Sequence, residues 1–141
     1  MASESEHITL ANSNQLLIYH LIDDGRFPDW LVTVAFYKAL HVVEAVFCFH
    51  LHAHSTSHTD RDERLKRYTR FGPIFKDYQH LFNESIIVRY LSGPPTYLTI
   101  EDVKSKLVYK RLLGVEQKSL AFLSDAARAK LVKVVPPSKT T

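Results

Sequence analysis

Histidine is concentrated in one part of this 141-residue chain: of its 8 histidines, five lie within residues 41–58. Ser57 and His58 end that stretch and Arg61 follows three residues later; a serine followed three residues on by an acidic residue, here Asp60, is typical of a helix start. The free N–H groups of a helix start, an imidazole and a guanidinium are together suited to hold a phosphate. His58 could also move a proton in phosphodiester cleavage while Arg61 stabilises the developing charge. The sequence therefore predicts an anion site here, with catalysis as a further hypothesis.

The same segment has a purely structural interpretation. Ser57 can cap a helix without holding any ligand, because its hydroxyl satisfies a backbone N–H of the first turn. Arg61 can then pair in solvent with the neighbouring Asp62 or Glu63. Both interpretations stay open on the sequence alone.

A second group of polar residues lies on the most apolar helix of the chain. Tyr37, His41 and Glu44 follow one another at spacings of four and three, which places them on one helix face. A buried glutamate beside a histidine is a plausible proton-transfer pair, because each perturbs the pKa of the other. We predict that His41 and Glu44 contribute to catalysis, and the alternative is a hydrogen-bonded core network.

A third group lies further along, where Tyr78, Ser85 and Arg89 share a helix face at spacings of seven and four. A bundle could aim this face at the histidine-rich turn. Tyr78 and Arg89, with His54 and Tyr37, are therefore predicted to contact a phosphate or nucleic acid. Alternatively, Arg89 caps its own helix and braces Glu44.

The histidine-rich stretch also raises the question of a metal. Neutral imidazoles suit zinc, and His50, His54 and His58 would share a face on a continuous helix. The predicted helix start at Ser57 breaks that continuity, and the standard ligand spacings are missing. We therefore predict a solvated polar turn, no metal site and no cofactor.

Composition places the chain among ordinary globular proteins. Hydrophobic residues make up 45%, charged residues 23%, and the formal net charge is +3, which permits contact with nucleic acid but does not require it. The single Cys48 excludes an internal disulfide and fits a reducing cytoplasm, the expected location. The apolar stretch 31–51 is interrupted by Lys38, Glu44 and other polar residues, so a buried helix is expected and not a membrane span.

Local signals along the chain predict mostly helices. We expect a flexible segment over 1–13, a helix from Asn14 that Gly25 ends, and a central helix opened by Pro28. In that central helix Trp30 belongs to an apolar stripe that should pack inside the bundle.

After the helix that starts at Ser57, Gly72-Pro73 should break the chain, and a further helix from Pro73 should end at the cluster 92–95. Thr99 should cap a long, kinked last helix whose stripe reaches Ala126. The predicted architecture is an all-α, antiparallel bundle of four to five helices over 14–133, with a polar tail over 134–141.

These polar positions on helices resemble the HEPN-like superfamily. The likeness rests on Asp29-Trp-Leu-Val-Thr-Val-Ala-Phe-Tyr-Lys-Ala-Leu-His-Val-Val-Glu44, on Ser57-His-x-x-Arg61, and on Tyr78-x-x-Leu-x-x-x-Ser85-x-x-x-Arg89-Tyr90. It implies a helical bundle, commonly a homodimer. It also implies either a metal-independent ribonuclease of a toxin–antitoxin, defence or RNA-processing system, or a non-catalytic domain that binds nucleotides, RNA or an antitoxin-type protein.

The catalytic signature of that superfamily, an Arg followed after a short spacer by a His, is missing here. His58 precedes Arg61, and no histidine follows Arg89. Two functions are therefore predicted as alternatives. The first is a domain that acts on RNA or a nucleotide, with endoribonuclease activity as a further hypothesis. The second is a non-catalytic binding or scaffold protein whose polar cluster is structural.

Overall fold

The central helix of the bundle is α2, Pro28–Leu51, in this computed structural model, which describes residues 2–91 and 99–137. Around it lie α1 (Glu4–Asp24), α3 (His58–Arg67), α4 (Gly72–Tyr90), α5 (Ile100–Val103), α6 (Leu113–Ser119) and α7 (Asp125–Lys130). A π-helical segment, Lys104–Leu112, joins α5 to α6, and short 3-10 turns occupy Thr69–Phe71 and Leu120–Phe122. Since the described residues contain no strand, the predicted all-α bundle is confirmed.

Helix α2 is apolar around its circumference because helices pack against it from several sides. Its buried positions run almost without interruption from Leu31 to Phe47. Pro28 occupies the first turn, as predicted, and the helix ends where His52 adopts a left-handed backbone with φ 51°. Helices α1 and α4 and the α5–α6 run all contact it.

Among the described residues, α2 is also the one helix that has the length and apolar composition to cross a membrane. Of its apolar window, 78% is buried inside the bundle. The central helices of soluble proteins meet the same two criteria.

Helix α1 begins ten residues earlier than predicted. It starts at Glu4, not Asn14, so the expected flexible segment is helical. The reason is a capping box: the Ser3 hydroxyl accepts from the Glu6 N–H at 3.1 Å, and the Glu6 carboxylate accepts from the Ser3 N–H at 3.2 Å. The predicted end at Gly25 is confirmed, with φ 79°.

Helix starts were predicted well in the middle of the chain. Ser57 caps α3 and Thr99 caps α5, each by accepting a backbone N–H three residues on. Helix α4 starts at Gly72, next to the predicted Pro73. The predicted break at 92–95 lies outside the described residues.

The last part of the chain differs from the prediction in two ways. The helical run from Ile100 stops at Phe122, and Ser124 caps a separate helix α7, so the predicted continuous stripe to Ala126 is wrong. The predicted tail is not wholly polar and solvated, because Val134 is buried in the core and its N–H donates to Glu116 Oε2 at 2.8 Å.

Candidate functional site

Arg61 lies inside the bundle and not at its surface. It shares the buried face of α3 with Leu65, four residues on, and is 7% exposed. Its Nε donates to Glu44 Oε1 at 2.7 Å, and Nη1 lies 3.3 Å from the Tyr78 hydroxyl. The alternative in which Arg61 pairs in solvent with its acidic neighbours is therefore wrong, and so is the one in which Arg89 braces Glu44.

The electrostatics of this buried cluster follow from its hydrogen bonds. Burial alone would raise the pKa of Glu44, but hydrogen bonds from Ser55 and Arg61 outweigh it and hold the pKa below its ordinary value. Burial raises the pKa of Tyr78 to about 12, against the opposing charge of Arg61. The cluster therefore holds an ionised carboxylate and guanidinium beside a neutral phenol.

The helix start at Ser57 is capped as predicted. Ser57 Oγ accepts the Asp60 N–H at 3.0 Å, and the Asp60 carboxylate accepts the Thr56 N–H at 2.9 Å. The Ser57 side-chain cap is thus present, but a capping box with Asp in place of Glu is not completed, because the Asp60 carboxylate bonds to the N–H of Thr56 and not to that of Ser57. The role of Ser57 in anion binding stays a prediction.

His58 lies next to this start, between Arg61 and two phenylalanine rings. Arg61 Nη1 is 2.9 Å from His58 Nδ1, and the Phe36 and Phe82 ring centres lie 5.9 and 5.1 Å from the imidazole. Since a guanidinium can only donate, His58 Nδ1 accepts and Nε2 carries the proton. Burial, then the charges of Arg61 and Arg89, lowers the pKa of His58 and keeps the ring neutral.

His41 belongs to a different group, a chain of imidazoles that joins α1, α2 and the connection after α2. His41 Nδ1 lies 3.0 Å from His7 Nδ1, and His7 Nε2 lies 2.9 Å from His54 Nε2. Burial, followed by the neighbouring His7, lowers the pKa of His41 to about 4. The predicted proton-transfer pair is thus divided: Glu44 bonds to Arg61 and Ser55, while His41 contacts His7.

Arg89 is held at the end of α4 by its neighbours. Its Nη1 donates to the Tyr37 hydroxyl at 3.1 Å, Nη2 to Ser85 Oγ at 3.2 Å, and Nε to the Ser85 carbonyl at 3.3 Å. The guanidinium also lies 5.5 Å from the Phe36 ring centre and 5.2 Å from that of Tyr90. Within the described parts of the chain, no carboxylate lies at ion-pair distance from Arg89.

A surface pocket lies beside Arg89, between the first turns of α2 and the last turn of α4. This α2–α4 pocket has a volume of about 350 Å³ and is lined by Asp29, Trp30, Thr33, Tyr37, Val88 and Arg89. Trp30, which we predicted to pack inside the bundle, is 59% exposed at its mouth. The volume falls within the range of small-molecule sites, about 300–1,000 Å³.

Three residues that line the pocket or the imidazole chain were not predicted as site residues from the sequence. Trp30 was assigned to the core on helical periodicity, which cannot tell which helix face lacks a neighbour. His7 was assigned to a flexible segment, although Ser3-x-x-Glu6 signals a helix start. Cys48 lies beside the imidazole chain, and its Sγ is 3.5 Å from the Ala2 carbonyl oxygen.

No family model matches the chain, and comparisons with curated proteins and with solved structures found no significant match. The resemblance to the HEPN-like superfamily, the homodimer and the antitoxin-type partner therefore stay predictions.

Proposed function

We propose that this chain is a binding module for a nucleotide unit, either free or within single-stranded RNA. The observation that supports the proposal is the α2–α4 pocket, about 350 Å³ in volume, in which an exposed tryptophan and a partly exposed arginine line one cavity. These two groups suit the two halves of a nucleotide. One is a flat apolar ring and the other is a fixed cation.

Trp30 would serve the base. It is 59% exposed and shares the pocket with Tyr37. Stacking of a base on an aromatic side chain contributes about 1–3 kcal/mol, and every base has the flat face that this requires. The Asp29 carboxylate, also in the pocket, can accept a hydrogen bond from a base amino group or a ribose hydroxyl.

Arg89 would serve the phosphate. A guanidinium has five N–H donors, and within the described part of the chain three of them donate to Tyr37 and Ser85, so the other two can serve a ligand. Because these bonds already fix the side chain, little conformational entropy remains to be lost on binding. Planar guanidinium groups pair with phosphate in two-point contacts.

Binding without cleavage is the better-supported form of this proposal. A base in phosphodiester cleavage needs a free lone pair, but the His58 lone pair on Nδ1 accepts from Arg61 at 2.9 Å. His58 Nε2 carries the proton and can only donate while the ring is neutral. Arg61 is 7% exposed and forms an ion pair with Glu44. Its guanidinium is therefore not placed to stabilise the charge of a phosphodiester at the surface.

The chain has a built-in reporter for the test, because Trp30 is its single tryptophan. Titration with nucleoside monophosphates and with short single-stranded RNA should quench its fluorescence in a saturable way. Arg89→Gln should weaken binding by about 10- to 100-fold, the effect of removing a charge-assisted hydrogen bond. Arg67→Gln, which removes an exposed arginine on α3, is the matched control and should bind like the wild type.

The outcomes separate the sources of the nucleotide. Binding of RNA that weakens steeply with salt, with little affinity for monophosphates, indicates a polymer ligand. Equal affinity of Arg89→Gln and wild type, or no quenching by either ligand class, would overturn the proposal. RNA cleavage in chelator that is lost in His58→Ala would favour the ribonuclease instead.

A further inference from the structure

Three side chains from separate parts of the chain direct metal-ligand atoms to one point. His7 comes from α1, Cys48 from the last turn of α2, and His54 from the connection to α3. Their ligand atoms all lie within 4.8 Å of one another, and His7 Nε2 and His54 Nε2 are 2.9 Å apart. His7 is 5% exposed, so the cluster is partly shielded from water.

We propose that His7, Cys48 and His54 bind one borderline-soft transition-metal ion, of which zinc is the representative. Zinc takes imidazole nitrogen at about 2.0–2.1 Å and thiolate sulfur at about 2.3 Å in tetrahedral sites. In that geometry neighbouring ligand atoms are roughly 3.3–3.6 Å apart. The two nitrogens need to separate by a few tenths of an ångström, and the Cys48 sulfur needs to approach them by up to about 1 Å, changes that side-chain rotations supply.

The hydrogen bonds around His7 prepare it for this role. His54 Nε2 lies 3.0 Å from the Ala2 carbonyl, which can only accept, so His54 Nε2 carries a proton, and this single N–H is shared between that carbonyl and His7 Nε2 at 2.9 Å. The proton of His7 must then lie on Nδ1, where it is donated to His41 Nδ1 at 3.0 Å. A histidine that binds a metal through Nε2 needs this tautomer, and partners at the other nitrogen orient metal ligands.

Binding requires two proton changes. The Cys48 thiol releases its proton to solvent as the sulfur–metal bond forms, and the proton of His54 moves to Nδ1 so that Nε2 can coordinate. The ion then has two neutral imidazoles and one thiolate as ligands. The Ala2 carbonyl oxygen, 3.0 Å from His54 Nε2 and 3.5 Å from Cys48 Sγ, or a water molecule, can supply the fourth ligand.

The donor set defines the class of metal. Calcium and magnesium are bound by oxygen ligands, whereas thiolate with imidazole selects zinc, cobalt and copper. The alternative is a hydrogen-bonded histidine chain that happens to lie beside a cysteine. Occupied by a metal, the same residues would tie α1 to the end of α2 and to the following turn.

Cobalt titration of the chelator-treated 141-residue chain tests this assignment directly. One equivalent of Co²⁺ should produce a thiolate-to-cobalt charge-transfer band together with the visible bands of a tetrahedral ion, and one equivalent of Zn²⁺ should bleach both. The charge-transfer band reports a sulfur ligand, and Cys48 is the single cysteine. A wild-type protein without this band would overturn the proposal.

Variants locate the site. Cys48→Ser should lose the charge-transfer band, and His54→Gln should weaken binding by at least about 10-fold. His20→Gln removes an exposed histidine of α1 and should bind like the wild type. Circular dichroism of each variant checks that the helices are retained. Metal binding that survives in Cys48→Ser but is lost in His20→Gln would mean an adventitious surface site and would also overturn the proposal.

Discussion

Arg61 of α3 and Glu44 of α2 form an ion pair inside the bundle, with Nε and Oε1 2.7 Å apart and both side chains less than a tenth exposed. The pair joins α3 to the central helix. It also neutralises the Arg61 guanidinium, which the sequence predicted to hold a phosphate. It leaves Arg89, held by Tyr37 and Ser85, as the cation that lines the α2–α4 pocket. Arg61 therefore has a structural role, and the binding role that we propose falls to Arg89.

Loss of Arg61 should destabilise the fold strongly. Arg61→Met leaves the Glu44 carboxylate buried without its cation, and breaking a buried pair in this way costs about 3–5 kcal/mol. Urea unfolding followed by circular dichroism measures the change. Arg64→Met, which breaks the more exposed pair with Asp60, should cost no more than about 1 kcal/mol. Equal losses in the two variants would contradict the buried role.

The Glu44 carboxylate should make stability depend on acid pH. Its pKa in the folded protein lies below the ordinary 4.5, because the hydrogen bonds from Ser55 and Arg61 outweigh the effect of burial. A carboxyl with a lowered pKa contributes stability above its unfolded pKa and loses it as the pH falls through the folded value. The difference in unfolding free energy between wild type and Glu44→Gln should therefore narrow below pH 4.5.

The control for this titration is Glu63→Gln, because Glu63 is exposed on α3. Its unfolding free energy should follow that of the wild type across the same pH range. A constant gap between wild type and Glu44→Gln down to strongly acidic pH would contradict the prediction.

A second buried pair predicts non-additive mutations. Lys38 of α2 and Glu116 of α6 are fully or almost fully buried and form an ion pair, and Lys38 Nζ also donates to the Val132 carbonyl at 2.8 Å. Lys38→Met alone should cost about 3–5 kcal/mol, since it leaves Glu116 unpaired. Lys38→Met with Glu116→Leu should recover most of that loss, because an apolar pair needs no compensating charge. A double variant as unstable as the sum of the single variants would contradict this expectation.

Gly114 should not tolerate a side chain. A Cβ built there would collide with the carboxylate of Asp77, which is held by Lys118 at 2.6 Å and Arg111 at 3.1 Å. Gly114→Ala should lower the free energy of unfolding by about 1–3 kcal/mol, as overpacking does. Gly72→Ala is the comparison: apart from its two chain neighbours, nothing lies within 4 Å of an added Cβ. It should cost less than Gly114→Ala, because its only new contact is with Pro73, which disfavours a helical backbone at a preceding residue that has a Cβ.

Local sequence determined much of the secondary structure. The caps at Ser57 and Thr99 and the left-handed end at Gly25 each depend on residues within a few positions of one another, so their chemistry can be read directly from the chain. A capping box of Ser3 and Glu6 likewise marks the start of α1 by residues three positions apart. The apolar pattern of α2 likewise indicated a central helix.

Tertiary structure alone decided which polar groups meet. Helical spacing placed Tyr37, His41 and Glu44 on one face, but their hydrogen-bond partners come from different helices: Arg89 from α4, His7 from α1 and Arg61 from α3. Partners so distant along the chain are set by how whole helices pack, which no local pattern encodes. For the same reason the histidines expected to form one polar turn around residues 50–58 belong to two separate groups. His54 lies beside His7 and Cys48, whereas His58 contacts Arg61.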